Sequence, residues 1–301
     1  MSTSANSISK GIKATSKKPK KIATERLGFI GWLCIVVLAL WTLIALFAPW
    51  IAPYPESKMV AKSVFLPAGT DGLLLGSDYM ARDVASRIIY GARMTIGLAF
   101  IACVLAFAVG TTLGFTAGLL GGRADDVLSR INDAFLAFPS IMLALIVISA
   151  LGTSLTILVL TVGFIEATRN FRVARALGMD ISVMDFVEVS RARGESTWWI
   201  LRHEILPNSF IPLSTDFGLR FTYSILLLST ISFLGLGVQP PHADWGGMVR
   251  ENMAGVHFYA TATLLPALCI FSITLAINFL IDWNLSRSNK DISDEMIKTG
   301  K

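Results

Sequence analysis

The chain has 301 residues, of which 53% are hydrophobic and only 16% charged, and its mean hydropathy is +0.63. Ordinary soluble domains carry roughly 25% charged residues, so this composition excludes a soluble enzyme and points to a polytopic membrane protein. The formal net charge of +5 does not argue for nucleic acid, because the same excess arises when basic residues anchor cytoplasmic loops.

The first 28 residues are polar and basic, with Lys17, Lys18, Lys20 and Lys21. They read as a cytoplasmic tail attracted to anionic lipid. The apolar run 29–51 is longer than the core of a signal peptide and lacks a small-residue cleavage pattern, so it is expected to remain as a first spanning helix. An outer loop takes the chain to residue 91. Further spans are expected at 94–120, 134–151, 214–235 and 263–281, each near the ~20 residues that cross ~30 Å of hydrocarbon. The run 155–165 is short, ending at Glu166 and Arg169. Charge bookkeeping decides that it crosses. With six crossings and the N-terminus inside, 19 Lys and Arg fall inside and six outside, whereas five crossings give 10 inside and 15 outside, against the positive-inside rule. The expected division is therefore a tail 1–28, a first helix and outer loop 29–91, a membrane core 92–285 with an inner loop 168–208, and a cytoplasmic tail 286–301.

The inner loop is patterned. Ser182 to Asp185 has the form of a capping box opening a short helix, which runs through Phe186, Val187, Glu188 and Arg191 to Gly194, a residue suited to a left-handed stop. Glu188 and Arg191 are three apart, so one face carries both and they are expected to pair. A second helical run is expected from Ser196 until Pro207 ends it. Within the spans, Gly110, Gly114 and Gly118 recur every four residues and predict a close helix approach. Asp216 and Arg220 share a helix face, and two readings stand: a pair on the translocation path, or a structural ion pair near the inner boundary. Unpaired at mid-membrane, each would cost ~2.5–3.5 kcal/mol.

Chemistry-bearing motifs are otherwise missing. The sequence holds no phosphate-binding G-x-x-x-x-G-K-[ST] loop. Gly235 and Gly237 begin a dinucleotide fingerprint that Pro240 breaks, and His203-Glu204 lacks the second histidine of a zinc helix. Cys34, Cys103 and Cys269 are single residues in apolar runs, where a thiol behaves as a small hydrophobe. No catalytic residue, cofactor or metal is expected.

Glu188 followed by Gly194 six residues on, and then Ile205, Leu206 and Pro207, resembles the E-A-A-x-x-x-G…I-x-L-P signature of permease subunits of ABC importers, with Val189 and Ser190 in place of the two alanines. Leu75 to Asp78 with Arg82, Asp83, Ser86, Arg87, Gly91 and Arg93 is similar to the block before the second helix in the peptide, nickel and opine branch, Ala81 standing where glycine is usual. Gly121 to Asp125 with Phe138, Pro139 and Ser140, and Ser232 to Gly237 with Gln239, Pro240, Pro241, Trp245 and Gly246, resemble later blocks of its C-type permease. The resemblance implies an all-α, type I importer permease of six transmembrane helices, both ends cytoplasmic, in a bacterial inner membrane. It also implies partners: a second homologous permease, two ATP-binding cassette ATPases and an extracytoplasmic solute-binding protein. It places Asp185, Phe186, Val187, Glu188, Arg191 and Gly194 in a knob docking an ATPase, with Phe186 and Val187 as apolar contacts. The segments 75–87 and 239–252 become the expected gate and binding-protein surface, and short peptides lead among the solutes. The rival, an ion-gradient-driven secondary transporter, should show repeated halves, and none is visible in the sequence.

Overall fold

A computed structural model describes residues 28–257 and 261–298, with side chains to residue 286. The basic head lies outside the described residues. Every extended element described is helical, and the only strand-like features are two isolated bridges, Met59 with Arg82 and Ser77 with Asp83.

Helix α1, Phe29–Ile51, is the expected first span: 23 residues, roughly 35 Å of helix. Helix α2, Val84–Leu120, starts ten residues before the apolar run. Asp83 caps it, its carboxylate accepting from the Ser86 N–H at 2.9 Å and the Ser86 hydroxyl at 2.6 Å, which satisfies donors that helix starts otherwise orphan.

The span expected at 134–151 is not one helix. Helix α3, Gly122–Leu136, and helix α4, Ser140–Leu151, meet at 86°. Pro139 cannot donate to a continuing ladder and holds Phe138 away from helical geometry, so the chain turns there. The 12 residues of α4, roughly 18 Å, cannot cross hydrocarbon alone.

Helix α5, Leu155–Ser182, is 28 residues long and runs well past Ile165, where the apolar run stops. Ser154 caps it. It lies along α2 in the tightest seam of the protein. A Cβ on Gly110, Gly114 or Gly118 would lie 2.5–2.7 Å from the carbonyl oxygens of Ala167, Phe171 and Arg175 respectively, so the four-residue glycine repeat lets the two backbones touch.

Short helices α6 (Asp185–Ala192) and α7 (Thr197–Ile200), a π-turn Leu201–Ile205, and α8 (Leu206–Asn208) form the inner loop. Ser182 does not cap α6. Its hydroxyl donates back to the Met179 carbonyl, and Met184 occupies the cap position without a side-chain bond. Pro207 does not stop the run either. The π-turn before it shifts the hydrogen-bond register, so the missing N–H and the ring are accommodated, and the chain breaks only at Ser209. Helices α9 (Phe210–Phe233), α10 (Trp245–Asn252) and α11 (Thr261–Lys298) follow. The last continues as one helix to Lys298, into the expected tail 286–301 as far as it is described.

By length and composition α1, α2 and α11 as far as Ser286 can cross a membrane, and the bent α3–α4 pair makes a fourth candidate. Helices α5 and α9 are long enough, at 28 and 24 residues, but charged residues dilute their apolarity. The main core lies between α2, α4, α5, α9, α10 and α11, around Ile88, Ile148, Leu158, Ile225 and Trp245. A second core packs Phe115, Ala174, Val187, Ile200, Ile205 and Leu213 beneath the inner loop.

In the outer loop the Asp78 carboxylate accepts from the N–H groups of Met80 and Arg82 at 2.9 and 2.8 Å. That turn holds Ala81 at φ +58°, a left-handed conformation in which a Cβ costs roughly 1–2 kcal/mol. Glycine gives back part of this as unfolded-chain entropy. Ala81→Gly is therefore expected to stabilise the protein by about 0.5–1 kcal/mol, read as a raised thermal unfolding midpoint in detergent.

Candidate functional site

Arg169 and Asn170 follow Glu166 by three and four residues on α5, and on α9 Arg220 follows Asp216 by four and Tyr223 follows Arg220 by three, so each set shares one helix face. The two faces meet. Arg169 Nη1 donates to Glu166 Oε1 at 2.6 Å, and Arg220 Nη1 donates to Glu166 Oε2 at 3.2 Å. Arg220 Nε donates to Asp216 Oδ1 at 3.1 Å, and Asn170 Nδ2 donates to Asp216 Oδ2 at 2.9 Å. Two further helices join, because Thr111 of α2 donates to Asn170 and Arg169 Nη2 donates to the Ser140 hydroxyl at the start of α4, at 2.9 and 2.6 Å. Both arginines lie over the Tyr223 ring, 5.7 and 5.5 Å from its centre. Two carboxylates and two guanidiniums leave the cluster neutral, as a low-dielectric setting demands.

The expected Asp216–Arg220 pair is thus present, but as one arm of a larger network. Along α5 Glu166 is about 17 Å from Leu155, and along α9 Arg220 is about 20 Å from Phe233. Sequence reasoning missed Glu166, Arg169, Asn170 and Tyr223 as site residues. The signal was that they recur at three- and four-residue intervals along one helix face, as the α9 residues do.

The acids sit behind the bases. Glu166 is wholly buried and the Asp216 side chain 6% exposed, whereas Arg169 is 34% exposed. The guanidiniums face an open hollow of about 530 Å³ lined by Leu136, Arg169, Arg172, Val173, Arg220 and Tyr223. A groove of about 370 Å³ adjoins it across Arg169 and Tyr223, walled by Pro139, Ile141, Leu226 and Leu227 among others. Arg172 pairs with Asp133 at 2.7 Å and Arg175 grips Asp125 with both ends of its fork, which fastens α3 to α5 at the rim.

At the inner end, Asp185, Glu188 and Arg191 are exposed on α6 and Phe186 is 36% exposed. Val187 departs from its expected role as an outward contact: it is fully buried in the second core and fastens α6 to the protein. Glu188 and Arg191 form no ion pair with each other, each pointing separately into solvent. Gly194 ends the segment at φ +83°, as its helix-stopping role requires. The order of α6 comes instead from Ser190, whose hydroxyl donates to Glu204 of the π-turn at 2.9 Å and accepts from Arg193 at 2.9 Å.

The two outer segments expected as a gate are brought together. Arg82 donates to Asp78 at 2.7 Å and to Glu251 at 3.1 Å, and Arg87 donates to the same Glu251 oxygen at 2.8 Å. Trp245 locks α10 on α2: its indole N–H donates to the Ile88 carbonyl at 3.0 Å, over Gly91, where a Cβ would lie 2.8 Å from the ring.

Asp244 caps α10, accepting from the Gly247 N–H at 3.1 Å. Burial pushes its carboxyl up to about 6, Glu251 adding to the shift and bonds from Gly247 and Ser232 opposing it. The folded protein therefore binds this proton more tightly than the unfolded chain, whose aspartate titrates near ~3.9. Stability from this group is present below pH ~4 and is lost as pH rises to about 6, a fall of order 2–3 kcal/mol. Asp244→Asn keeps a capping side chain and is expected to flatten the thermal midpoint across that window.

Long apolar helices enclosing a charged, concave face fit a membrane protein, and likeness to known proteins gives the family. The family described as "Binding-protein-dependent transport system inner membrane component" matches residues 110–290. The chain belongs to it. Among curated relatives, the permease is 33% identical over 263 residues to the dipeptide transport system permease protein DppC of Haemophilus influenzae, covering 86% of this chain and 88% of that one. It is 34% identical to the di/tripeptide transport system permease protein DppC of Pseudomonas aeruginosa, covering 85% of each. It is 32% identical to the glutathione transport system permease protein GsiD of Pectobacterium atrosepticum, covering 79% of each. In fold the permease is similar to an inward-facing MetNI methionine ABC transporter, with a TM-score of 0.54 and 20% identity over 65% of this chain and 93% of that one. A solved amino acid ABC transporter gives a TM-score of 0.51 at 17% identity, over 67% and 94%. The permease is thus an all-helical, multi-pass membrane component of a binding-protein-dependent importer.

Proposed function

We propose that this permease forms one half of the path through which a peptide-class solute enters a bacterial cell across the inner membrane. The observation that carries the reading is the hollow midway along α5 and α9. Guanidiniums opening onto that hollow would each cost ~2.5–3.5 kcal/mol against lipid, so the face meets water and a second, homologous permease. Six crossings follow when the bent α3–α4 pair counts as one span beside α1, α2, α5, α9 and α11. Both termini then lie in the cytoplasm with most Lys and Arg, as the positive-inside rule requires. An extracytoplasmic solute-binding protein delivers the solute to the outer segments 75–87 and 239–252.

Helix α6 docks one of two ATPase subunits. Phe186 is its apolar anchor, Asp185, Glu188 and Arg191 are its polar rim, and Gly194 permits the turn into α7. Interface energy concentrates in such aromatic and Arg anchors. Val187 and the Ser190–Glu204 link fasten α6 to the second core and to the π-turn, so movement of the ATPases rocks the path.

The test is uptake and ATPase co-purification with Phe186→Asp and Gly194→Trp. Both readouts should fall together while the permease stays in the membrane, and normal values for both would overturn the docking assignment. A cysteine at Glu195, labelled by an impermeant maleimide from outside intact cells, would overturn the topology. The native thiols at Cys34, Cys103 and Cys269 are buried.

A further inference from the structure

The paired charges on α5 and α9 explain why the hollow is tolerated but not why it is arranged with one sign outward. A purely structural ion cluster needs no such asymmetry. Three guanidiniums, of Arg169, Arg172 and Arg220, line the hollow, and among the described residues no carboxylate does. Glu166 and Asp216 spend their oxygens on the rear of the arginine forks and on Asn170. Among the described residues no acceptor meets Arg220 Nη2, and none meets the Tyr223 hydroxyl. Tyr223 orients both forks from below. The second groove, which shares Arg169 and Tyr223, is walled mainly by aliphatic side chains.

We infer that the hollow is a subsite for the carboxylate of the passing solute, gripped by Arg169 and Arg220, with the adjoining groove taking an aliphatic side chain. A planar fork offering paired N–H donors matches a carboxylate. A charge held in place by neutralising acids behind it needs no rearrangement to receive an anion. Arg172, already paired with Asp133, adds attraction at the rim. The inference rests on the peptide-import reading above and specifies which end of the solute the permease reads. A lipid phosphate offers the same oxygen chemistry, so the experiment separates the two sources.

The complete importer, reconstituted with its partner permease, ATPases and binding protein, is given Ala-Ala or its C-terminal amide at saturating loaded binding protein, so that capture by the binding protein cancels. The acid keeps charge-assisted bonds that the amide lacks, so it is expected to move about tenfold faster, 1.4 kcal/mol being tenfold. Arg169→Gln should bring the ratio of acid to amide rates toward one, a ratio that a general loss of folded complex would not change. A second measurement needs no variant: phenylglyoxal modification of Arg169 and Arg220, mapped by mass spectrometry in uncharged phosphatidylcholine vesicles, should be slowed by Ala-Ala and not by the amide. Equal transport of both peptides by wild type, with no protection, overturns the subsite while the import reading stands. Protection that arises only when phosphatidylglycerol is added assigns the hollow to lipid and overturns it too. A wild-type complex that moves neither peptide with ATP overturns both readings.

Discussion

Gly114→Leu is expected to remove the folded permease from the membrane, whereas Gly97→Leu on the same helix should leave its amount and unfolding midpoint near wild type. A Cβ at Gly114 would lie 2.5 Å from the Phe171 carbonyl oxygen, 2.8 Å from the Ala174 Cβ and 2.9 Å from the Arg175 backbone nitrogen. Two of these neighbours are backbone atoms of α5 and cannot swing aside, so the α2–α5 seam must open. A Cβ at Gly97 meets nothing within 4 Å. Overpacking a tight core costs about 1–3 kcal/mol, and more when backbones must part; separating α2 from α5 along a stretch of seam places this variant at about 3 kcal/mol or above. The consequence reaches the site, because the same seam sets Asn170, which takes a bond from Thr111 of α2 and gives one to Asp216. Membrane abundance and detergent unfolding of the two variants, side by side, check this. Equal behaviour would mean that the seam does not hold α2 and α5 together.

Those glycines were legible because their meaning is local to one helix: small residues recurring every four positions face one way whatever lies opposite. Span 29–51 was legible because it is apolar all round, and the Asp216–Arg220 pair because its partners share a helix turn. The bend at Pro139 escaped because mean hydropathy over 134–151 counts apolar residues and is blind to the direction of the chain. The full length of α5 escaped for a different reason. Glu166, Arg169 and Arg172 read as the end of a span when each is counted as an isolated charge, yet their partners lie on α9, α4 and α3, which no linear window brings alongside. Ser182 and Pro207 misled in the same manner. A cap needs the right backbone angles besides the right side chain, and a proline breaks a helix only where the register demands its missing donor.

Glu166→Leu should destabilise the permease severely, and adding Arg169→Leu should restore most of what is lost. Glu166 is wholly buried and supplies separate oxygens to two guanidiniums. Its removal leaves Arg169 and Arg220 facing each other across Tyr223 with one neutralising acid, Asp216, between them. Breaking a buried ion network by deleting one partner costs about 3–5 kcal/mol, because an uncompensated charge remains in a low dielectric, whereas replacing a pair by apolar groups is often close to neutral. The double variant removes one charge of each sign and keeps the Arg220–Asp216–Asn170 arm intact, so its midpoint should return most of the way toward wild type. The interaction energy in the resulting double-mutant cycle is expected to be about 2–3 kcal/mol. If the two substitutions simply add, the charges are held by solvent and not by one another, and the hollow is wetter than its buried acids indicate. If they compensate in stability while uptake of a carboxylate-bearing peptide stays low, the fold needs neutrality at this depth and the solute needs the arginine itself. That outcome would separate what lets the cluster exist in a membrane from what the cluster does there.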